Sequence, residues 1–489
     1  MLRRIDVLLA ASGCLVFALA CARNPVSGWP EFVVVSKAQE QKIGDQEAVK
    51  IEQEMGFVDD PELAKYVSAV GDRVSAFSPR DDVTYRFHVV DSTMINAFAL
   101  PGGYVYVTRG LLVRMNREDE LANVLGHEVG HVAARHAVQR ITRATPGALI
   151  TGISSGVVGL VLPGLGRALG TIGSGVNSLA LAPYSRGQET QSDRLGQEMA
   201  SKAGWDPMGM ADFMRTLQRE EALSGEEGAP YFLRTHPLTA SRVEDGTAYA
   251  ETLERAEPDP IAKTHAAFLE ELDGLVVGPN PAAGIFREDE FLQPDLDLYL
   301  RVPKGWQTIN APSFIAAVQP ENEAQIVLSI AGEGDDALEV AKQYSRGEGA
   351  RLGLRPQATK LGMRDGARAT ARINGTAVDV SWIAYNGHVY QITSVCLSRN
   401  YSRYETPFID VALSLRPLTA EERASITEDR LRIVRARAGE SLEALVERSG
   451  GTWSVEETAV ANGLPPDAKL ADGQRVKVPI RQRYRSPEG

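Results

Sequence analysis

Residues 121–136 read LANVLGHEVGHVAARH and hold the spacing H-E-x-x-H in His127, Glu128 and His131. Residues four apart on a helix differ by about 400° of rotation, so the two imidazoles share one face about a turn apart. Imidazoles so placed reach a single Zn²⁺, and Glu128 sits beside them as a base for water. The motif alone is short and recurs in unrelated sequences. Its setting here is helical. Leu121, Val124, Leu125, Val129 and Val132 repeat at apolar helix spacing, and Glu118, Asp119 and Glu120 precede them, where the helix dipole favours negative charge.

The chain around this stretch has 489 residues, enough for two to four domains with a sizeable core. A net charge of −12 excludes general nucleic-acid affinity and acidic partners, both of which want a basic face. The start predicts export. Arg3 and Arg4 precede an apolar run over residues 7–20, so residues 1–20 form a signal peptide. The run ends Ala18-Leu19-Ala20-Cys21, which resembles a bacterial lipobox and makes Cys21 the expected lipidation site, with plain secretion or a retained anchor as the alternative. Cys14 competes, but would leave a very short apolar core. Ala22 follows Cys21, and the lipoprotein sorting rule implied by that resemblance points to the outer membrane. Cys396 is then the one thiol left, so no internal disulfide is expected, and its apolar strand pattern marks it as core.

Downstream of a turn-rich tether over residues 22–28, Ser36 with Gln39 predicts a capping box opening a helix towards Gly56. A second helix is expected from Pro61 to about Ala76, then a strand through Tyr85, Phe87 and Val89. Residues 96–112, NAFALPGGYVYVTRGLL, read as two short strands flanking Pro101-Gly102-Gly103. The first of these, Asn96, Ala97, Phe98 and Ala99, is a candidate edge strand for an extended peptide substrate; a purely structural hairpin is the alternative.

A third metal ligand is sought in residues 186–203, a second amphipathic helix with Glu189 and Asp193 four apart on one face. Glu189 would complete a His₂Glu site with water in the fourth position, and Asp193 would orient a ligating imidazole through its free ring N–H. For an isolated E-x-x-x-D, a solvated acidic face is the competing reading. His136 offers H-E-x-x-H-x-x-x-x-H but is rejected: metzincins need glycine where Ala134 stands and a histidine one residue later, and on a continuing helix His136 points to the far side. His236-Pro237, with Arg242 nearby, is either ordinary loop surface or a donor set for the oxyanion of a tetrahedral intermediate.

Taken together, NAFALPGGYVYVTRGLL, LGHEVGHVAARHA, YSRGQETQSDRLG and THPLTASR occur in an order that resembles the gluzincin family of BepA, HtpX and the CaaX prenyl endopeptidases. The resemblance covers roughly residues 21–249. It implies zinc, one ion per chain, on His127, His131 and Glu189, with Glu128 as catalytic base, Asp193 supporting the ligands, and His236 and Arg242 at the cleft. The lipoprotein start resembles the periplasmic BepA-type branch, but no helical repeat tail follows.

Residues 144–166 carry no charge but hold six glycines and two prolines. They predict an apolar flap over the cleft, with a membrane-inserted hairpin as the alternative. Pro279-Asn280-Pro281 reads as a linker. Residues 290–418 show strand patterns and the turns Asn374-Gly375 and Asn386-Gly387, an α+β antiparallel-sheet domain resembling PsbP-like domains in outline. Residues 430–481 resemble a small βααβ LysM module, which implies peptidoglycan contact; a packing role is the alternative.

The expected fold is thus α+β and multidomain: a mainly helical gluzincin metalloprotease domain with a small β-sheet over residues 21–278, then the two modules. The expected function is a zinc metalloendopeptidase of the bacterial envelope, anchored to the outer membrane by lipid or soluble in the periplasm. It would hydrolyse misfolded or unassembled envelope proteins. The alternative is a chaperone-like or peptidoglycan-binding envelope protein with a gated, weakly active metal site.

Overall fold

Local signals open the N-terminal helices. In the computed structural model, which describes residues 21–33, 35–148, 183–237 and 239–486, Ser36 and Gln39 cap each other reciprocally ahead of the helix Lys37–Met55. Asp60 caps Pro61–Ser75, whose proline sits where no N–H is needed. The expected signal peptide (residues 1–20) and most of the expected flap (residues 149–166) lie outside the described residues. Among the described residues, no helix is long and apolar enough to cross a membrane.

Three strands form the small sheet of the first domain. Arg86–Val90 runs parallel to Tyr104–Thr108, which pairs antiparallel with Ala97–Leu100, leaving the last strand at an edge. The hairpin needs its glycines: Gly103 has φ +96°, and a Cβ there would lie 2.5 Å from the carbonyl oxygen of Thr84.

The H-E-x-x-H helix, Glu118–Ala133, is the buried axis of this domain; of its residues, Asp119 alone is not buried. Its first carboxylate is built into the core. Glu118 accepts from Tyr66 Oη (2.6 Å), Trp205 Nε1 (2.7 Å) and the backbone N–H groups of Ile261 (2.6 Å) and Ala262 (2.5 Å). Helix Arg186–Lys202 crosses the axis at very short range. A Cβ on Gly126 would sit 2.9 Å from the Gly196 carbonyl oxygen, and one on Gly196 2.6 Å from the His127 nitrogen. Only glycine permits that approach.

A seven-stranded antiparallel sheet makes up the middle of the chain, in the order 307–311, 314–318, 324–333, 388–397, 376–385, 364–373, 357–361. Asn374-Gly375 and Asn386-Gly387 turn its hairpins with positive φ at all four residues, so the last strands form the expected meander. Helix Tyr401–Ser414 buries Tyr404 and Phe408 in one apolar cluster with the sheet; Ala337 and Ala341 of Ala337–Arg346 belong to another. Cys396 is buried, and burial pushes its thiol up to about 11.

The C-terminal unit has the expected βααβ order: Thr427–Arg435, Leu442–Ser449, Val455–Ala461 and Arg475–Arg483. It is not set apart by a loose linker. Val276–Val277 joins its ribbon as a third strand, and Leu431 lies in the core of the first domain. Asn280, within the expected linker, donates to Asp91 Oδ2 at 2.5 Å. Lys477 is fully buried, and its Nζ donates to the carbonyls of Val113 (2.9 Å) and Met115 (2.5 Å), just ahead of the metal helix. Burial lowers its pKa and raises that of nearby Glu120. The coarse architecture is α+β and multidomain with several antiparallel sheets.

Removing the Glu118 carboxylate strands an indole, a phenol and two backbone N–H groups in the core. Glu118→Ala should cost on the order of 3 kcal/mol, read as a lower urea midpoint by tryptophan fluorescence. A midpoint equal to the parent's would refute this anchoring role.

Candidate metal centre

Four side chains from three segments converge. His127 and His131 come from the buried axis, Glu189 from the crossing helix, and His236 from the residue that ends the short helix Tyr231–Thr235. One potential ligand atom from each lies within 4.8 Å of every other. The Nε2 atoms of His127 and His131 are 2.9 Å apart, and the Glu189 oxygens lie 3.7 Å from the first and 3.4 Å from the second. Two soft-to-borderline nitrogens and a carboxylate in a dry pocket suit Zn²⁺.

Glu128 supplies a second test of fit. Both of its oxygens are buried without a hydrogen-bond partner, and burial raises its pKa, with His236 and His127 opposing. A buried carboxylate without hydrogen-bond partners marks a candidate functional group. Its neighbour at 3.5 Å is His236 Nε2.

Asp193 Oδ1 is 2.9 Å from His127 Nδ1, the nitrogen facing away from the cluster. Arg242 holds both acids: Nε and Nη2 donate to Asp193 at 2.8 and 2.7 Å, and Nη1 lies 2.9 Å from Glu189. The same Nη1 also reaches the carbonyls of His236 and Pro237. The expectation of Arg242 as an oxyanion donor is therefore corrected. Its N–H groups are spent on the protein, and it positions the acids and the His236 turn.

His236 Nδ1 sits 3.2 Å from His127 Nε2 and 3.1 Å from Glu189, at the fourth corner of the ligand set. The ring stacks on Phe232 at 4.4 Å, and the Phe232 N–H donates to Ile95. Burial opposes a charge on His236, yet Glu189 and Glu128 raise its pKa.

The edge strand Ala97–Leu100 runs beside this cluster, since Ala99, Leu100, His131 and Tyr184 line one crevice. Asn96 is fully buried, with Nδ2 unpartnered.

One residue escaped the sequence reading, and another was rejected there on a geometry the chain does not adopt. Tyr184 stacks on His131 with ring centroids 3.8 Å apart; the signal was an aromatic just before the Ser185–Gln188 capping box. His136 does not ligate, but not for the reason expected. The helix stops at Ala133, Arg135 takes φ +58°, and the chain doubles back so that His136 Nδ1 lies 2.9 Å from His131 Nδ1. No glycine marks that stop, so a continuing helix was the natural reading.

Comparison with known proteins adds a family. Residues 61–249 match peptidase family M48. The beta-barrel assembly-enhancing protease of Yersinia pestis is 28% identical over 247 residues, 49% of this chain and 49% of that protein. The mitochondrial metalloendopeptidase OMA1 of Schizosaccharomyces pombe is 37% identical over 183 residues, 36% of this chain and 50% of that one. The chain thus spans about half the length of these relatives. A solution structure of cyanobacterial PsbP from Synechocystis aligns with 29% of this chain and 99% of its own at 13% identity, with a TM-score of 0.23, too faint a likeness to assign a fold. The segment that matches peptidase family M48, residues 61–249, holds His127, His131, Glu189 and His236 of the cluster and Glu128 beside them.

Proposed function

We propose that this protein is a zinc-dependent endopeptidase of the bacterial cell envelope, acting on misfolded or unassembled envelope proteins. The observation that carries the reading is the convergence of His127, His131 and Glu189 beside a buried Glu128 whose oxygens have no partner. Bound there, Zn²⁺ would supply Lewis-acid polarisation of a scissile carbonyl and a more acidic water.

The chain's own residues do the rest. Glu128 takes the proton of the attacking water and returns it to the leaving amine. Its raised pKa suits it to both transfers. Asp193 accepts from His127 Nδ1 and so keeps the Nε2 lone pair free for the cluster. The edge strand Ala97–Leu100 offers backbone groups to an extended substrate beside His131.

His236 closes the site in this state. With Nδ1 at the fourth corner, it occupies the place that water or substrate must take, so the resting enzyme is gated and weakly active. Swinging His236 out opens that corner and frees its ring to donate to an oxyanion.

Lipidation at Cys21, outer-membrane attachment and peptidoglycan contact by residues 430–481 belong to the same proposal. They rest on the signal-like start and the βααβ order of the tail. The substrate class is supported by the likeness to the beta-barrel assembly-enhancing protease of Yersinia pestis.

Two measurements test this. The form from Ala22 onward should degrade an unfolded outer-membrane β-barrel protein, and Glu128→Gln should bind zinc yet turn over roughly 10²–10⁴-fold more slowly. Equal cleavage by both would overturn the mechanism. His236→Ala should raise basal cleavage of the same substrate while zinc stays bound; a fall in cleavage would make His236 a catalytic donor and remove the gate.

A further inference from the structure

His136 is fully buried and lies one side chain away from the ligand set. Its Nδ1 is 2.9 Å from His131 Nδ1, its Nε2 is 3.0 Å from Gln191 Oε1, and Ser192 Oγ stands 3.4 Å from Nδ1. Gln191 and Ser192 belong to the helix that carries Glu189 and Asp193. The two rings and the amide thus form one line from the cluster to the second ligand helix.

The proton positions along that line are determined by chemistry. If His131 presents its Nε2 lone pair to a cation, its proton is on Nδ1 and must be donated. His136 Nδ1 is then the acceptor, so its own proton is on Nε2 and goes to Gln191 Oε1. The reverse order would put a proton on His131 Nε2 and forbid ligation. With the His131 Nε2 lone pair given to a cation, each donor along the line meets an acceptor.

We propose that His136 is a positioning residue for the metal centre, holding His131 in the tautomer and ring plane that ligation requires. The proposal rests on the zinc reading above. His127 meets the same need with the Asp193 carboxylate, whereas His131 has a neutral imidazole as acceptor. The two ligands are therefore supported unequally.

The backbone shows how His136 reaches this place. Arg135 adopts a left-handed conformation unusual for a side chain of its size. It is held there by buried Glu40, which accepts from Arg135 Nε at 3.1 Å and from Arg80 at 2.8 Å, while Arg135 Nη2 donates to Val35. Tyr184 closes the other face of His131 by stacking. His136 itself cannot join the ligands, because it faces the wrong nitrogen of His131.

The test uses the full chain carrying Glu128→Gln, so that no activity enters the readout. Zinc affinity is measured by competition with a chromophoric chelator, and the ligand geometry by the visible spectrum of the Co²⁺ form. His136→Leu should weaken zinc binding roughly 10–100-fold and alter the cobalt bands. His136→Asn, which places an oxygen where Nδ1 stood, should recover much of both. Gln191→Leu should shift affinity in the same direction by less, and it decides the matter should His136→Leu not fold. Parent-like affinity and spectrum in His136→Leu, or parent-like affinity in Gln191→Leu where that variant decides, would overturn the positioning role while leaving the zinc site intact. A parent chain that binds no zinc would sink both.

Discussion

Two buried helices meet where neither can carry a side chain of any size. Gly126 and Gly130 on one face Ser192 and Gly196 on the other; a Cβ on Gly130 would already lie 3.2 Å from Ser192. Four-residue spacing places small residues along one stripe of each helix, so the backbones touch over more than a turn. That contact brings Glu189 within reach of two imidazoles on a different segment. A side chain at Gly196 would push the helices apart at the residue next to His127, and the donors would no longer converge.

Enclosing so many ionisable groups is costly unless each is answered. The centre meets that condition through alternation. Asp193 lies between His127 and Arg242, and Arg242 in turn binds Glu189, which faces the imidazoles. The same logic recurs away from the centre, where Glu40 sits between Arg80 and Arg135. Glu128 is the exception. Its oxygens have no hydrogen-bond partner, which suits the proton transfer proposed for it.

What could be read from the sequence was what local spacing encodes. His127, Glu128 and His131 stood out as candidates by helix spacing and setting, whereas Glu189 and Asp193 were told from a solvated acidic face only by the order of motifs shared with the gluzincin family. The Asn-Gly turns of the middle sheet were legible because positive φ at consecutive residues selects those types. What escaped depends on contacts distant in sequence. The reversal at Arg135 is imposed by Glu40, 95 residues away, so His136 was read on the wrong side of a helix that had already ended. Arg242 was readable as a cation near the site, but not as one already consumed by two carboxylates. The docking of the tail on Val276–Val277 leaves no trace in the composition of either segment.

That docking changes what the C-terminal unit is mechanically. With Leu431 in the core of the first domain and Lys477 fastened to Val113 and Met115, the unit is a rigid outrigger and not a tether. Whatever it grips, a pull on its ribbon is transmitted to the carbonyls just ahead of the metal helix. There the load falls on the buried axis whose first residue is Glu118.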